Sequence, residues 1–292
     1  MPDSTAHIID GRVLAARLRE NIAERVAALK SRGIDVSLDA VLADAAGNGD
    51  AESAALIYAQ NQRSTCEALG IDYRLHLLAG NAAYEDLAGR LLLLSNDDDV
   101  TAIMLHLPVP TGIDAYALQS LITPDKDVEG VNPANIGNVV YGRSGLMPCT
   151  ALAVMEMVDS TGLDLRGAHV VVVGASNIVG KPIAVLMMQR EATVVSCNKH
   201  TRDLASLTRQ ADVLIAAAGQ PRLIKANMVK PGAVVVDVGV HRIVEDGRKA
   251  TVGDVDFEPV SQVAGWISPV PGGVGPMTVA MLLRNVVEAA ER

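Results

Sequence analysis

Aromatic side chains are scarce in this chain, with one Trp, one Phe and five Tyr among 292 residues. So few π faces make a stacking platform for single-stranded nucleic acid improbable. Basic residues are outnumbered, 25 Lys and Arg against 34 Asp and Glu, for a formal charge of −9. That sign argues against general affinity for a phosphate backbone or an anionic lipid surface. Cysteine is limited to Cys66, Cys149 and Cys197, widely spaced and without metal-ligand spacing. This suggests a reducing compartment and no structural zinc. Residues 1–7 lack the basic and apolar pattern of an export signal. No apolar run reaches about 18 residues, so no membrane span is expected. The expectation is a cytoplasmic protein with no nucleic-acid or membrane partner and no bound metal.

What is present is apolar and alternating. Hydrophobic residues make up 49% and charged residues 20%, the balance of a folded globular chain. The length allows one large or two modest domains. Strands are expected at 8–10, 36–42, 73–78 and 100–105. Between them, helical spacing of apolar residues predicts helices over 13–29, 53–69, 84–94 and 115–121. Ser53 is placed to cap the second of these, which ends at Gly70. Strands alternating with helices imply a parallel sheet with right-handed crossovers. A helix from Cys149 to about Asp159 is expected to link two domains. Further strands follow at 170–173, 193–197, 213–218 and 233–239. A final helix over 277–291 is expected to return to the first domain.

The second half is organised around Val170-Val-Val-Val-Gly174-Ala-Ser176-Asn-Ile-Val-Gly180-Lys-Pro182. Four valines read as a buried strand, and the two glycines and the proline lead into an apolar helix. A strand, glycine turn and helix present backbone N–H groups and a positive helix end to an anion, usually a nucleotide phosphate. The glycine spacing is G-x-x-x-x-x-G and not G-x-G-x-x-G, and a tight βα turn without a ligand uses the same residues.

Several segments together resemble the methylenetetrahydrofolate dehydrogenase/cyclohydrolase family of the bacterial FolD type. They are Ile9-Asp-Gly11, Tyr58-Ala-Gln-Asn-Gln62-Arg with Cys66-Glu-Ala-Leu-Gly-Ile, His106-Leu-Pro-Val-Pro, Asp127-Val-Glu-Gly130 and Pro148-Cys-Thr150. Beyond these come the Gly174 to Pro182 turn, Asp237-Val-Gly239, Gly253-Asp-Val-Asp-Phe and Pro269-Val-Pro-Gly-Gly-Val-Gly-Pro-Met-Thr278. The resemblance runs in family order over nearly the whole chain. It implies two α/β domains with a folate cleft between them, usually in a homodimer. Residues 1–147 and 275–292 would form the folate-binding catalytic domain, and 148–274 a Rossmann-like NAD(P)-binding domain. The implied reaction oxidises the methylene bridge of tetrahydrofolate by hydride transfer to a nicotinamide, NADP or NAD. Many members then hydrolyse the methenyl product to the 10-formyl compound. Hydride transfer rests on orientation, whereas hydrolysis needs an acid–base side chain.

The departures from the family fall mostly on the folate side. The family motif Tyr-x-x-x-Lys becomes Tyr58-x-x-x-Gln62, and glutamine cannot titrate near neutral pH. Gln-Leu-Pro becomes His106-Leu-Pro108, where the histidine is either a relocated acid–base or a polar filler. Asp-Val-Asp-Gly becomes Asp127-Val-Glu129-Gly130, which retains a carboxylate able to accept two N–H bonds from a pterin edge. The approach over 43–53 is longer, and Ala151 and Ala153 replace a proline and a glycine.

The resemblance makes Tyr58, Gln62, His106 and Glu129 the catalytic candidates, and Tyr58, Glu129, Pro271, Gly272 and Gly273 the substrate-binding ones. Three glycines in four residues there suit a site better than a merely tight connection. For the cofactor it implies Gly174, Ala175, Ser176, Ile178, Val179, Gly180, Lys199, Thr201, Gly219, Val238, Gly239, Gly275 and Thr278. Ala175 stands where NADP-using members carry arginine, and no acidic residue stands at the second strand end for a ribose diol. Lys199, with His200 or Arg202, offers charge for a 2′-phosphate, or else forms a solvated basic turn; the balance leans to NADP. His241 reads as a surface residue. The expected activity is dehydrogenation with a weak or lost hydrolytic step. The alternatives are a changed substrate or direction on the same fold, or a non-catalytic binding protein.

Overall fold

The computed structural model describes residues 6–44, 54–143, 145–245 and 247–292. Ser53, the expected cap, and most of the 43–53 approach lie outside them. In chain order, β1 (His7–Ile8) and α1 (Gly11–Ser31) precede β2 (Ser37–Asp44), α2 (Ala54–Ala68), β3 (Asp72–Ala79), α3 (Tyr84–Ser95) and β4 (Ala102–Leu105). Next come α4 (Ala115–Gln119), α5 (Pro133–Tyr141), α6 (Cys149–Asp159), β5 (His169–Val173), α7 (Gly180–Gln189), β6 (Thr193–Cys197), α8 (Leu204–Thr208) and β7 (Val213–Ala216). The chain ends with β8 (Val234–Asp237), β9 (His241–Glu245), β10 (Arg248–Val252), α9 (Phe257–Ser261), β11 (Trp266–Ile267) and α10 (Val274–Ala290). Among the described residues, no helix is long and apolar enough to cross a membrane.

The chain divides into two compact units, Met1–Arg17 with Pro148–Met281, and Leu18–Met147 with Leu282–Arg292. The first unit is built on a six-stranded sheet in the order β1-β11-β8-β7-β5-β6. Every pairing in it is parallel. Val170 to Val173 are buried between β7 and β6, as a strand covered on both faces requires. The expectation kept residues 1–17 with the folate-binding domain. The structure groups them with the nucleotide-type sheet, because β1 extends that sheet in register His7↔Trp266 and Ile8↔Ile267. Residues 275–281 group there too. Helix α6, expected as a link, is instead a core helix of this unit, burying Cys149, Ala151, Ala153, Val154, Met155, Met157 and Val158.

The second unit carries a parallel sheet in the order β3-β2-β4. One face is covered by α3, whose Leu87, Leu91 and Leu94 meet Val41, Ile103 and Leu105 in a common core. Helix α5 was not foreseen, although its signals are complete. Asn132 caps it by accepting from the Ala134 N–H, Pro133 opens it, and Gly142 closes it at φ 64 in the left-handed region.

Candidate active site

In the second unit, helix α2 places Tyr58 and Gln62 one turn apart, and the sheet supplies their neighbours. Tyr58 is 45% exposed, whereas Gln62 is 4% exposed and so does not lie on an open helix face. The Gln62 amide is held from both ends: Nε2 donates to Met104 Sδ at 3.2 Å, and Oε1 accepts from the Tyr73 hydroxyl at 3.2 Å. His106, the residue after β4, is buried, and its backbone N–H donates to the Val41 carbonyl. Its Nε2 lies 3.4 Å from Tyr73 Oη, and its ring meets Tyr58 edge-on with centroids 5.8 Å apart. Burial lowers the His106 pKa to about 4, so the imidazole is neutral near pH 7. Burial, reinforced by Cys66, raises the Tyr73 hydroxyl and keeps it protonated.

Glu129 is presented by the loop over 127–130. Asp127 builds that loop, its carboxylate accepting from the N–H groups of Gly130 and Asn132 and from Asn135 Nδ2. Burial and then the Asp127 charge push the Glu129 carboxyl up to about 8, opposed by a hydrogen bond from Gln119. The carboxylate expected to meet a pterin edge is therefore a protonated acid at neutral pH before any ligand arrives. Tyr58, Gln62 and His106 are thus brought together around Tyr73, while Glu129 is held through Gln119 and the Asp127 loop. A cavity of about 800 Å³ beside Asp39, Arg74 and His76 is lined by none of these four expected catalytic residues.

In the first unit, the two glycines of the turn after β5 touch each other. A Cβ on Gly180 would overlap the Gly174 carbonyl, and one on Gly174, at φ 115, would overlap the Ala217 carbonyl. Ser176 closes the turn by accepting from the Gly180 and Lys181 N–H groups. The end of β6 lies beside it, since Gly174 N–H donates to the Cys197 carbonyl. There Thr201 Oγ1 accepts from Asn198 N–H, and Lys199, His200 and Arg202 are exposed. Among the described residues none of those three enters a salt bridge. Ile178 is also exposed, and Val179 stands at the cap position of α7.

Two buried carboxylates shape the other strand-end loops. Asp254 accepts from the N–H groups of Ala218, Gly219 and Gln220 and pairs with His241 Nε2 at 2.7 Å. His241 is therefore a half-buried anchor and not the surface residue its position suggests. Asp237 accepts from Gly239, Asp254 and Val255 N–H groups, which places Val238 and Gly239. Burial pushes the Asp237 carboxyl up to about 6, with the N–H donors opposing.

The glycine loop before α10 has more structural need for glycine than its composition suggests. Gly272 adopts φ 115, and a Cβ on Gly273 would stand 2.7 Å from the Pro269 carbonyl. A Cβ on Gly11 would overlap Gly273 in turn. The left-handed backbone at Gly272 and close packing at Gly273 require glycine whether or not a substrate binds there. Gly275, at the head of α10 with Thr278 one turn on, faces open space.

This two-part architecture matches known proteins over its length. The NAD(P)-binding domain of tetrahydrofolate dehydrogenase/cyclohydrolase matches residues 148–292, and the catalytic domain of the same enzymes matches 9–129. The chain belongs to the tetrahydrofolate dehydrogenase/cyclohydrolase family. It is 46% identical to the bifunctional protein FolD of Moorella thermoacetica, over 98% of this chain and 99% of that one. Among solved structures it is similar to the bifunctional FolD of Campylobacter jejuni, with TM-score 0.91, 41% identity, and 98% and 99% of the two chains covered. It is also similar to the Trypanosoma brucei FolD complexed with NADP and an inhibitor, with TM-score 0.90, 34% identity, and 100% and 99% covered.

Sequence reasoning missed Tyr73, Asp254 and Met104. Tyr73 sits in an ordinary β run, and nothing local marks its hydroxyl as the partner of residues 11 and 33 positions away. Asp254 had a signal, since Gly253-Asp-Val-Asp is part of the family pattern, but its partners lie 34 to 36 positions back.

Proposed function

We propose that this chain is an NAD(P)-dependent oxidoreductase interconverting 5,10-methylene- and 5,10-methenyltetrahydrofolate, with an attenuated cyclohydrolase step. The observation that carries the attenuation is the Gln62 amide, held between Met104 Sδ and the Tyr73 hydroxyl. It cannot exchange a proton near pH 7. Hydrolysis forms a bond from water oxygen to the methenyl carbon, releases a water proton, and then breaks the C–N5 bond as N5 is protonated. A group that titrates near neutrality contributes about 10²–10⁴-fold to such steps, and burial leaves His106, at about 4, too weak a base to replace one fully.

The first unit suits a dinucleotide on its own observations. The Gly174 to Gly180 turn brings backbone close at a helix start, and Gly219 and Gly275 have open space where a Cβ would stand. Ser176, Gly180, Gly219, Gly239 and Gly275 would hold the cofactor, and Lys199 and Arg202, in no salt bridge among the described residues, support NADP over NAD. When bound, the nicotinamide supplies hydride acceptance; the protein's part is to orient the groups and exclude water. Tyr58, exposed beside His106, offers a ring face to the folate, and Glu129 a carboxyl to the pterin edge. The family resemblance supports a homodimer, which light scattering on the purified protein would test. Three buried cysteines, none of them in a disulfide among the described residues, suit a reducing, cytoplasmic setting.

Dehydrogenase assays run in parallel with NADP and NAD, followed by hydrolysis of methenyltetrahydrofolate, test the reading. The expected result is reduction of NADP with the higher kcat/KM and hydrolysis slower by about 10² or more than after Gln62→Lys. Fast hydrolysis by the unaltered protein would overturn the attenuation, and failure to reduce either nicotinamide would overturn the dehydrogenase reading.

A further inference from the structure

We propose that Tyr73 is a positioning residue of this site: pinned by Gln62, its hydroxyl holds His106 as the Nε2–H tautomer and leaves Nδ1 as the basic ring nitrogen. The proposal rests on the functional reading above for the site's chemistry, but its argument is a chain of donors and acceptors. It begins at Met104. A thioether sulfur accepts hydrogen bonds and donates none, so the Gln62 group 3.2 Å from Met104 Sδ is its NH₂. Reversing the amide would set oxygen lone pairs against sulfur lone pairs. The Gln62 oxygen therefore faces Tyr73 and can only accept, so the single hydroxyl proton of Tyr73 is committed to it at 3.2 Å. What Tyr73 Oη offers His106 Nε2, 3.4 Å away, is a lone pair. Nε2 must then carry the hydrogen. A neutral imidazole has one N–H, which leaves Nδ1 with a lone pair.

The surroundings hold the ring in this role. Burial keeps His106 neutral and Tyr73 protonated. The His106 backbone is tied to Val41, and the Tyr58 ring stands edge-on to the imidazole. Among the described residues no hydrogen bond engages Nδ1. A lysine at position 62 would reverse the chain. An ammonium only donates, so it would turn the Tyr73 hydroxyl proton toward Nε2 and move the histidine proton to Nδ1. Gln62 is thus the acceptor that sets the polarity of the site, through a tyrosine that touches both partners.

The test is long-range ¹H–¹⁵N correlation spectroscopy on full-length protein with ¹⁵N-labelled imidazoles near neutral pH, with His106 assigned by its loss in His106→Gln. The expected signature is a pyrrole-type Nε2 and a pyridine-type Nδ1. Gln62→Leu frees the hydroxyl proton and should move the population to the Nδ1–H form. Gln62→Met, nearer in shape, repeats this measurement should the leucine variant not fold. Tyr73→Phe removes the acceptor and should give averaged shifts at both nitrogens. A pyridine-type Nε2 in the unaltered protein overturns the proposal, and so does an Nε2–H signature unchanged in the Gln62 and Tyr73 variants. The spectrum is read without substrate, so failure of the folate assay and failure of the tautomer assignment are separate results.

Discussion

A carboxyl that burial and a neighbouring negative charge push up to about 8 is protonated at neutral pH, and Glu129 beside Asp127 is such a group. Its unfolded value is 4.5, so between about pH 5 and pH 8 the native state binds more protons than the unfolded one. Stability from this group therefore falls as pH rises through that window. Glu129→Gln should remove the slope, so that the Tm difference in favour of the variant grows from about pH 5 to pH 8 in calorimetry. N–H donors on a pterin edge would favour the carboxylate and release its proton on binding. A different prediction concerns Lys199, two residues beyond the end of β6. If Lys199 meets a 2′-phosphate, Lys199→Ala should raise KM for NADP by roughly fivefold, about 1 kcal/mol, while KM for NAD stays unchanged. Equal changes for both cofactors would count against that role.

At the scale of elements, the nucleotide face is made by loops pinned from behind. The turn between β5 and α7 needs two glycines because the Gly174 carbonyl fills the space of a Gly180 Cβ and the Ala217 carbonyl that of a Gly174 Cβ. The loop after β7 is held by Asp254, which gathers three successive N–H groups onto one buried carboxylate. Hydrogen bonds to a charged acceptor are worth about 1.5–3 kcal/mol each, and a donor left without one costs its desolvation. Asp254→Asn keeps the shape but turns an NH₂ toward these donors. It should cost about 3 kcal/mol in urea unfolding, and it should weaken nicotinamide binding by loosening Gly219. Unchanged nucleotide affinity in a folded variant would separate the Gly219 loop from the cofactor.

At the scale of the whole molecule, chain ends complete structures begun far away. Asn285, fully buried on α10, donates its amide to the carbonyls of Val128 and Met147. Val128 precedes Glu129, so a residue near the C-terminus helps hold a loop of the candidate site more than 150 positions earlier. Arg25 and Glu291 add a bidentate ion pair within the same unit. Asn285→Ala removes the donor to the Val128 and Met147 carbonyls and should cost about 2 kcal/mol. It should also raise KM for the folate more than KM for the nicotinamide. A stability loss with both constants unchanged would show that the Glu129 loop keeps its shape without this support.

Local pattern by itself determined the alternation of strands and helices, the buried Val170 to Val173 strand, the glycine turn after it and the identity of the family. These depend on neighbouring residues, through side-chain period, glycine and proline placement, and runs of motif. The six-stranded sheet's first member, the anchoring role of His241 and the packing need for glycine at 273 were decided only by tertiary structure. Each depends on a partner far along the chain that no window of sequence contains. The candidate site divides in the same way. Tyr58 and Gln62 are legible as a helical pair, and that the side chain at 62 cannot titrate is legible from one letter. What Gln62 does instead is not, because the direction of its amide is set by Met104 and read by Tyr73 and His106. Hydrogen-bond polarity passes through space, and only the folded chain brings those four side chains within reach of one another.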